Sequence, residues 1–237
     1  MSKGKKVLIV LIIAILVIGL VMGIRTIYGF NVLQKIFSKV EENIQKDNYY
    51  LKQTCQYNGE KTTIEAYYRD GIGRYVAENG MYTWTNGEVA YMVNNENMTL
   101  DPLEIENAVT LVSSDMFAYL IPGYKYNIFE RIFLAGSLRN SIKTEKVGED
   151  KCYVIKEEQE HSTKTVWINQ KTMNPIKAEV EFKNGAKYEY TYQLAFTATK
   201  LTSIELDISK YTITNGNEET ITDIENSTEN NSVNTNE

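Results

Sequence analysis

TVWINQKTMNPIKAEVEF, Thr165 to Phe182, reads as two strands joined by a turn that ends in proline. In the second strand Ile176, Ala178, Val180 and Phe182 alternate with Lys177, Glu179 and Glu181. That two-residue period describes a strand with one face on a core and the other in water. The period continues downstream, where Tyr188, Tyr190, Tyr192, Leu194 and Phe196 alternate with Lys187, Glu189, Thr191 and Gln193. Asn184-Gly185 lies between the two runs. A two-residue loop there would set Phe182 opposite Lys187 and mix the faces. Parity therefore demands a three-residue loop with Gly185 in the left-handed region. The product is an antiparallel sheet with one apolar and one wet face.

Working outward, Tyr49 to Leu100 is rich in Tyr and Thr and broken by Asn-Gly and Asp-Gly, the chemistry of a meander of hairpins. At Asn86-Gly87 a two-residue type I′ loop would pair Trp84 with Val89 and Tyr82 with Tyr91. A helical interval follows, with Asp101 as cap, Pro102 in the first turn and Pro122-Gly123 as the stop. YNIFERIFLAGSL, Tyr126 to Leu138, predicts a second, shorter helix. Strands resume at about 141–147, 152–158, 164–169, 176–182, 187–196 and 202–208. From Asn215 the chain is Asn, Thr, Ser and Glu with almost nothing apolar, so a disordered tail is expected over 215–237.

The other end is apolar. Lys3, Lys5 and Lys6 precede VLIVLIIAILVIGLVMGI, Val7 to Ile24, which carries no charge. As a helix this run spans about 27 Å at about 1.5 Å per residue, close to a ~30 Å hydrocarbon core. It exceeds a signal-peptide apolar region, and no A-x-A-like site follows it. The reading is a retained single-pass anchor over 7–24, residues 1–6 cytoplasmic and the rest extracytoplasmic. NVLQKIFSKVEENIQKD then places Val32, Leu33, Ile36, Phe37, Val40 and Ile44 at helical spacing, with Asn31 as a candidate cap.

The chain has 25 basic and 31 acidic residues. Without the three anchor lysines and the six acids of the tail, 22 basic face 25 acidic groups. No basic stripe remains, which excludes nucleic-acid binding. An even cysteine count in an exported domain permits one disulfide, Cys55 to Cys152, if their strands are neighbours; two buried thiols are the alternative. The single histidine, His161, sits in the polar run EEQEHSTK as a solvated loop residue. Nothing suggests a nucleophile–base pair, a metal set or a phosphate loop, so neither an enzyme nor a cofactor is expected.

Aromatic side chains are in excess, with 17 Tyr, 7 Phe and 2 Trp. Either they fill a core under the helices or they leave a concavity for an acyl chain or apolar peptide. The inward-facing candidates for lining such a site are Ile64, Ala66 and Tyr68, then Tyr188, Tyr190 and Tyr192, and Trp84.

The order of helix, strands, helical pair and strands, centred on VWINQKTMNPIKAEV, resembles the lipoprotein-carrier superfamily. This is the LolA/LolB-like fold, which includes regulators of anti-sigma factors. The residues that carry the resemblance are Trp167, Ile168, Asn169, Lys171, Thr172, Pro175, Lys177 and Glu179, with Asn169 where the family often has Asp. It implies an α+β fold over about 31–214: a curved, eleven-stranded antiparallel half-barrel with helices covering its concave face. The function implied is lipid or lipoprotein acyl-chain binding by a membrane-anchored domain. The alternative is a regulatory module on the same scaffold that docks an envelope protein and senses envelope state.

Overall fold

In a computed structural model, the structure describes residues 3–77, 81–111, 113–138, 143–196 and 204–214. The expected tail lies outside them. Helix α1, Lys3–Ile44, is one unbroken helix of 42 residues. The apolar run and the amphipathic run are therefore continuous, and Asn31 is an exposed interior position rather than a cap. Thr26 Oγ donates to the Met22 carbonyl at 2.9 Å within this helix.

The rest is built on one large sheet of twelve strands: β1 Asn48–Tyr57, β2 Glu60–Arg69, β3 Ile72–Val76, β4 Tyr82–Thr85, β5 Ala90–Asn94, β6 Thr99–Pro102, β7 Lys143–Val147, β8 Asp150–Glu158, β9 Ser162–Asn169, β10 Pro175–Phe182, β11 Lys187–Ala195 and β12 Thr212–Ile213. Their order is β12-β6-β5-β4-β3-β2-β1-β11-β10-β9-β8-β7. Every described pairing is antiparallel except β12 with β6. The expected α+β class and curved antiparallel sheet are both found. The twelfth strand is a two-residue parallel addition at the edge.

Turn chemistry sets the meander. Asn58-Gly59 and Asp70-Gly71 have positive φ at both positions (50° and 86°, 50° and 84°) and link Tyr57 to Glu60 and Arg69 to Ile72. Both are type I′ geometry, at the hairpin turns that the Asn-Gly and Asp-Gly steps marked. At Asn184-Gly185 the Phe182 amide donates to the Ala186 carbonyl at 2.9 Å, and Gly185 has φ +88°. The loop is three residues long, as parity required.

Asn86-Gly87 differs. Thr85 pairs with Ala90 and Trp84 with Tyr91, so the loop has four residues and the register is shifted by two. The side chain of Asn86 is the cause. Its Oδ1 accepts from the Glu88 and Val89 amides at 3.0 and 2.9 Å, which turns the chain later than a type I′ loop would.

The predicted helical interval is also divided. Pro102 closes β6, so Asp101 is a strand residue and not a helix cap. Helix α2 runs Ile105–Leu111, and a 3-10 turn covers Met116–Leu120. Helix α3, Ile128–Leu138, lies where expected. Its start is a reciprocal cap: Asn127 Oδ1 accepts from the Phe129 and Glu130 amides at 3.0 Å, and Glu130 Oε2 accepts from the Asn127 amide at 2.7 Å. The expected strand at 202–208 is absent over its described part. Residues 204–207 have no strand partner, and Ile208–Lys210 is a 3-10 turn.

Two apolar cores result. The larger joins Val32, Leu33, Ile36, Phe37 and Val40 of α1 to Tyr49, Leu51, Ala66, Ile155, Val166, Ile168, Ala178 and Tyr192 of the sheet, with Phe117, Ala118, Leu134 and Ala135. The smaller joins Tyr82, Trp84, Val93 and Leu100, and Leu206, Ile208 and Tyr211 pack on it. Register shows that the two lie on opposite faces. Ala66 pairs with Tyr75 and Tyr75 with Thr83, so Trp84, the next residue, points away from Ala66. The sheet thus buries its main core on one face around β1, β2 and β8–β11 and a smaller core on the other face toward its β4–β6 end. The expectation of a wholly wet second face holds only around β9–β11.

Candidate ligand-binding face

The pairings Ala66–Leu51, Ile64–Gln53, Tyr68–Tyr49, Leu51–Leu194, Gln53–Tyr192 and Cys55–Tyr190 place their partners on one face. Ala178 with Tyr190 and Val180 with Tyr188 extend it to β10. Six of the seven lining candidates, Ile64, Ala66, Tyr68, Tyr188, Tyr190 and Tyr192, therefore share the face on which α1 packs. Trp84 does not. It is buried on the opposite face, where its indole N–H donates to the Ile204 carbonyl at 2.7 Å.

The helix-side face has a filled half and an open half. Over the filled half Leu51, Ile155, Val166 and Ile168 are fully buried, and Tyr49 donates its hydroxyl proton to the Ser113 carbonyl at 2.9 Å. Ala66 and Tyr192 belong to this half as core. Burial pushes the Tyr49 and Tyr192 hydroxyls well above the usual tyrosine range.

Toward the Asn58-Gly59 and Asn184-Gly185 turns the cover ends. Cys55, Tyr57, Ile64, Val180 and Tyr188 are only half-buried, and Phe182 is exposed. Here Tyr57 and Tyr188 stack at 4.3 Å between centroids, and Phe182 meets Tyr188 edge-on at 5.7 Å. Tyr190 borders the filled core, and burial pushes its pKa up to about 12. On the β8–β9 side the shelf ends in polar groups. Lys164 faces Glu157 across the pair and Val180 on its other side. Burial lowers the Lys164 pKa, against the pull of Glu157. Both side chains line a shallow cavity of about 200 Å³ with Tyr124 and Tyr126.

The cysteines do not bridge. Both thiols are free, and β11, β10 and β9 separate β1 from β8. That is four steps of about 4.8 Å along the sheet, far beyond disulfide reach. Among the described residues no group of three or more His, Cys, Asp or Glu could hold a metal ion.

The hairpin that carried the family resemblance has a visible structural task. Asn169 Oδ1 accepts from the Lys171 and Thr172 amides at 2.8 and 3.2 Å, and Met173 takes φ +57° to bring Pro175 back against Ile168. Asn43, buried on α1, donates to Asn174 Oδ1 at 3.4 Å, which ties the helix to this turn. On the outer face Lys177 lies over the Trp167 ring at 4.8 Å and bridges Glu179 at 2.7 Å. A cavity of about 430 Å³ opens beside the turn, lined by Asn169, Thr172, Pro175, Tyr192 and Leu194 among others. Sequence reading missed it because it joins β1, β10 and β11 residues that no local pattern connects.

Since Asn169 acts through an accepting oxygen, Asn169→Asp keeps the turn. Asn169→Ala leaves two amides unpaired and is expected to cost about 1–2 kcal/mol. Chemical denaturation of the two variants beside the parent measures the difference.

No protein-family model matches the chain, and no curated protein sequence matches it. Similar solved structures include an uncharacterized conserved protein from Thermus thermophilus, at 9% identity and TM-score 0.48, over 77% of this chain and 98% of that one. The MucA/MucB complex of Pseudomonas aeruginosa is similar at 13% identity and TM-score 0.36, over 76% of this chain and 63% of that one. A LolA superfamily protein from Nitrosomonas europaea is similar at 10% identity and TM-score 0.32, over 73% and 97%.

Proposed function

We propose that the chain is a membrane-anchored, extracytoplasmic binding protein. Its ligand is apolar, the acyl chain of a lipid or lipoprotein, and lies on the open half of the helix-side face. The observation that carries this reading is the shelf of Tyr57, Ile64, Val180, Tyr188 and Tyr190, half-covered and edged by the exposed Phe182, on a face whose other half buries Leu51, Ile155, Val166 and Ile168 completely. Stacked tyrosines offer large apolar area with a wet edge, which suits an amphiphile. The anchor supports the location. An 18-residue window of α1 has mean hydropathy 3.4 and none of it is buried against the chain. A bilayer is the environment in which such a helix costs nothing, and the preceding lysines orient the domain outward.

A second reading is favoured by one feature. Gly59 and Gly185 turn at the rim, and the shelf between them is open, so a ligand would be held on the surface rather than enclosed. Ordinary small-molecule sites bury most of their ligand. An apolar segment of an envelope protein would suit such a surface, and the chain would then be a regulatory, partner-docking module without bound lipid.

A benzophenone amino acid in place of Tyr188, photolysed in intact cells, separates the two. A lipid-sized adduct supports acyl-chain binding, and a protein-sized adduct supports docking. No adduct at Tyr188 or at Ile64 removes both.

A further inference from the structure

Helix α3 has apolar side chains over more than the face that packs on the core. At about 100° per residue, Ile128, Phe129, Ile132 and Phe133 fall within one arc about 140° wide. Arg131, Leu134 and Ala135 fall outside that arc, where Leu134 and Ala135 are buried in the main core and the Arg131 guanidinium lies 4.4 Å from the Phe37 ring. The first arc is largely open: Phe129 is 71% exposed and Phe133 79%, while Ile128 and Ile132 are about half covered. Two phenylalanines and two isoleucines in one largely open stripe form more than scattered surface apolarity.

The position of this stripe identifies what covers it. A Cβ on Gly136 would stand 3.9 Å from Thr26 Cγ2, so the C-terminal turn of α3 touches α1 two residues past the end of the Val7–Ile24 run. Arg131 meets α1 farther along, at Phe37. Helix α3 therefore runs beside α1 with its C-terminal end toward the apolar run. Two residues are about 3 Å of helix, and the headgroup layer beyond the hydrocarbon is about 5–8 Å deep. Phe133 lies about one turn from Gly136, within that layer if the run is in a bilayer. The capped, charged start of α3 at Asn127 and Glu130 lies on the far side.

We propose that the C-terminal part of this stripe, Ile132 and Phe133, is a second membrane contact, set in the headgroup layer against the acyl chains of the bilayer that holds α1, with Phe129 farther out. This rests on the anchor reading above. The contact fixes the tilt of the domain, because one helix alone lets it swing, whereas a helix plus an interfacial wedge does not.

The full chain is reconstituted in phosphatidylethanolamine–phosphatidylglycerol vesicles, with plain or brominated acyl chains. Phe133→Trp and Val17→Trp are compared with the parent, whose Trp84 and Trp167 supply the baseline. The added indole at 133 is expected to emit to the blue and to lose about half its intensity to brominated chains, as an indole at the acyl boundary does. If Val17→Trp is quenched while Phe133→Trp emits as in water and yields to acrylamide, the contact is wrong and the anchor stands. If neither is quenched, both readings fall. Quenching at 133 alone removes the anchor and leaves α3 as the bilayer contact.

Discussion

Phe37→Ala is expected to destabilise the domain by about 3–5 kcal/mol, against a total of about 5–15 kcal/mol for an ordinary domain. Phe37 is 1% exposed and sits where three parts of the fold meet. Its ring packs on α1 neighbours Leu33, Ile36 and Val40 in the main core, meets Tyr124 edge-on at 6.1 Å, and lies beneath Arg131 at 4.4 Å. Truncation removes the transfer energy of the ring and leaves a cavity that α1 cannot collapse into, because its sheet contacts are fixed on either side. It also strips the Arg131 guanidinium of its apolar seat. Phe37→Leu refills most of the volume and is expected to cost about 1–2 kcal/mol. Urea denaturation of both variants in detergent micelles, followed by Trp84 and Trp167 emission, reads the difference. Equal, small losses would mean that α1 is dispensable to the sheet.

That junction was partly legible in the sequence. The apolar spacing from Val32 to Ile44 named the residues α1 would bury, because helical periodicity depends only on local order. Likewise, the three-residue loop at Asn184-Gly185 followed from parity, since both flanking strands were long enough to fix which side chains had to share a face. The Asn86 loop escaped because its length is set by a side chain capping two amides, an interaction that the dipeptide Asn-Gly does not distinguish from a type I′ turn. The shift was by two, so parity is kept, and Trp84 pairs with Tyr91 in place of Val89 on the same face.

Which face of the whole sheet Trp84 occupies was a different question. It depends on the chain between Val76 and Tyr82, where no alternation carries parity from β3 to β4. The second core could not be foreseen either. Leu206 and Ile208 alternate like a strand, yet they pack across the sheet without joining it over the described residues. The cysteine pairing failed for a related reason, since strand neighbours are set by the closing pair β1–β11, the longest-range contact in the sheet.

Trp84 yields the second large effect, and a sharp contrast with the shelf. Trp84→Ala is expected to cost about 3–5 kcal/mol, the range for a buried aromatic reduced to a methyl group. The indole is 5% exposed and stacks over Tyr91 at 6.5 Å. It also holds the 204–214 segment by the Nε1–H bond to the Ile204 carbonyl. Hydrogen exchange should show residues 204–214 and β12 losing protection before β1 and β11, because only the smaller core is opened. Trp84→Phe refills most of the apolar volume but abandons a buried carbonyl, so a loss of about 1–3 kcal/mol remains. Photocrosslinking from position 188 should survive in Trp84→Phe, since the shelf and Trp84 lie on opposite faces. Placing Glu at Ile64 should have the converse effect: the fold is largely kept, because the position is half open, and the adduct at 188 is lost. If Trp84→Phe abolished the adduct while Ile64→Glu left it intact, the ligand would sit on the β4–β6 side of the sheet, and the face on which α1 packs would be nothing more than core.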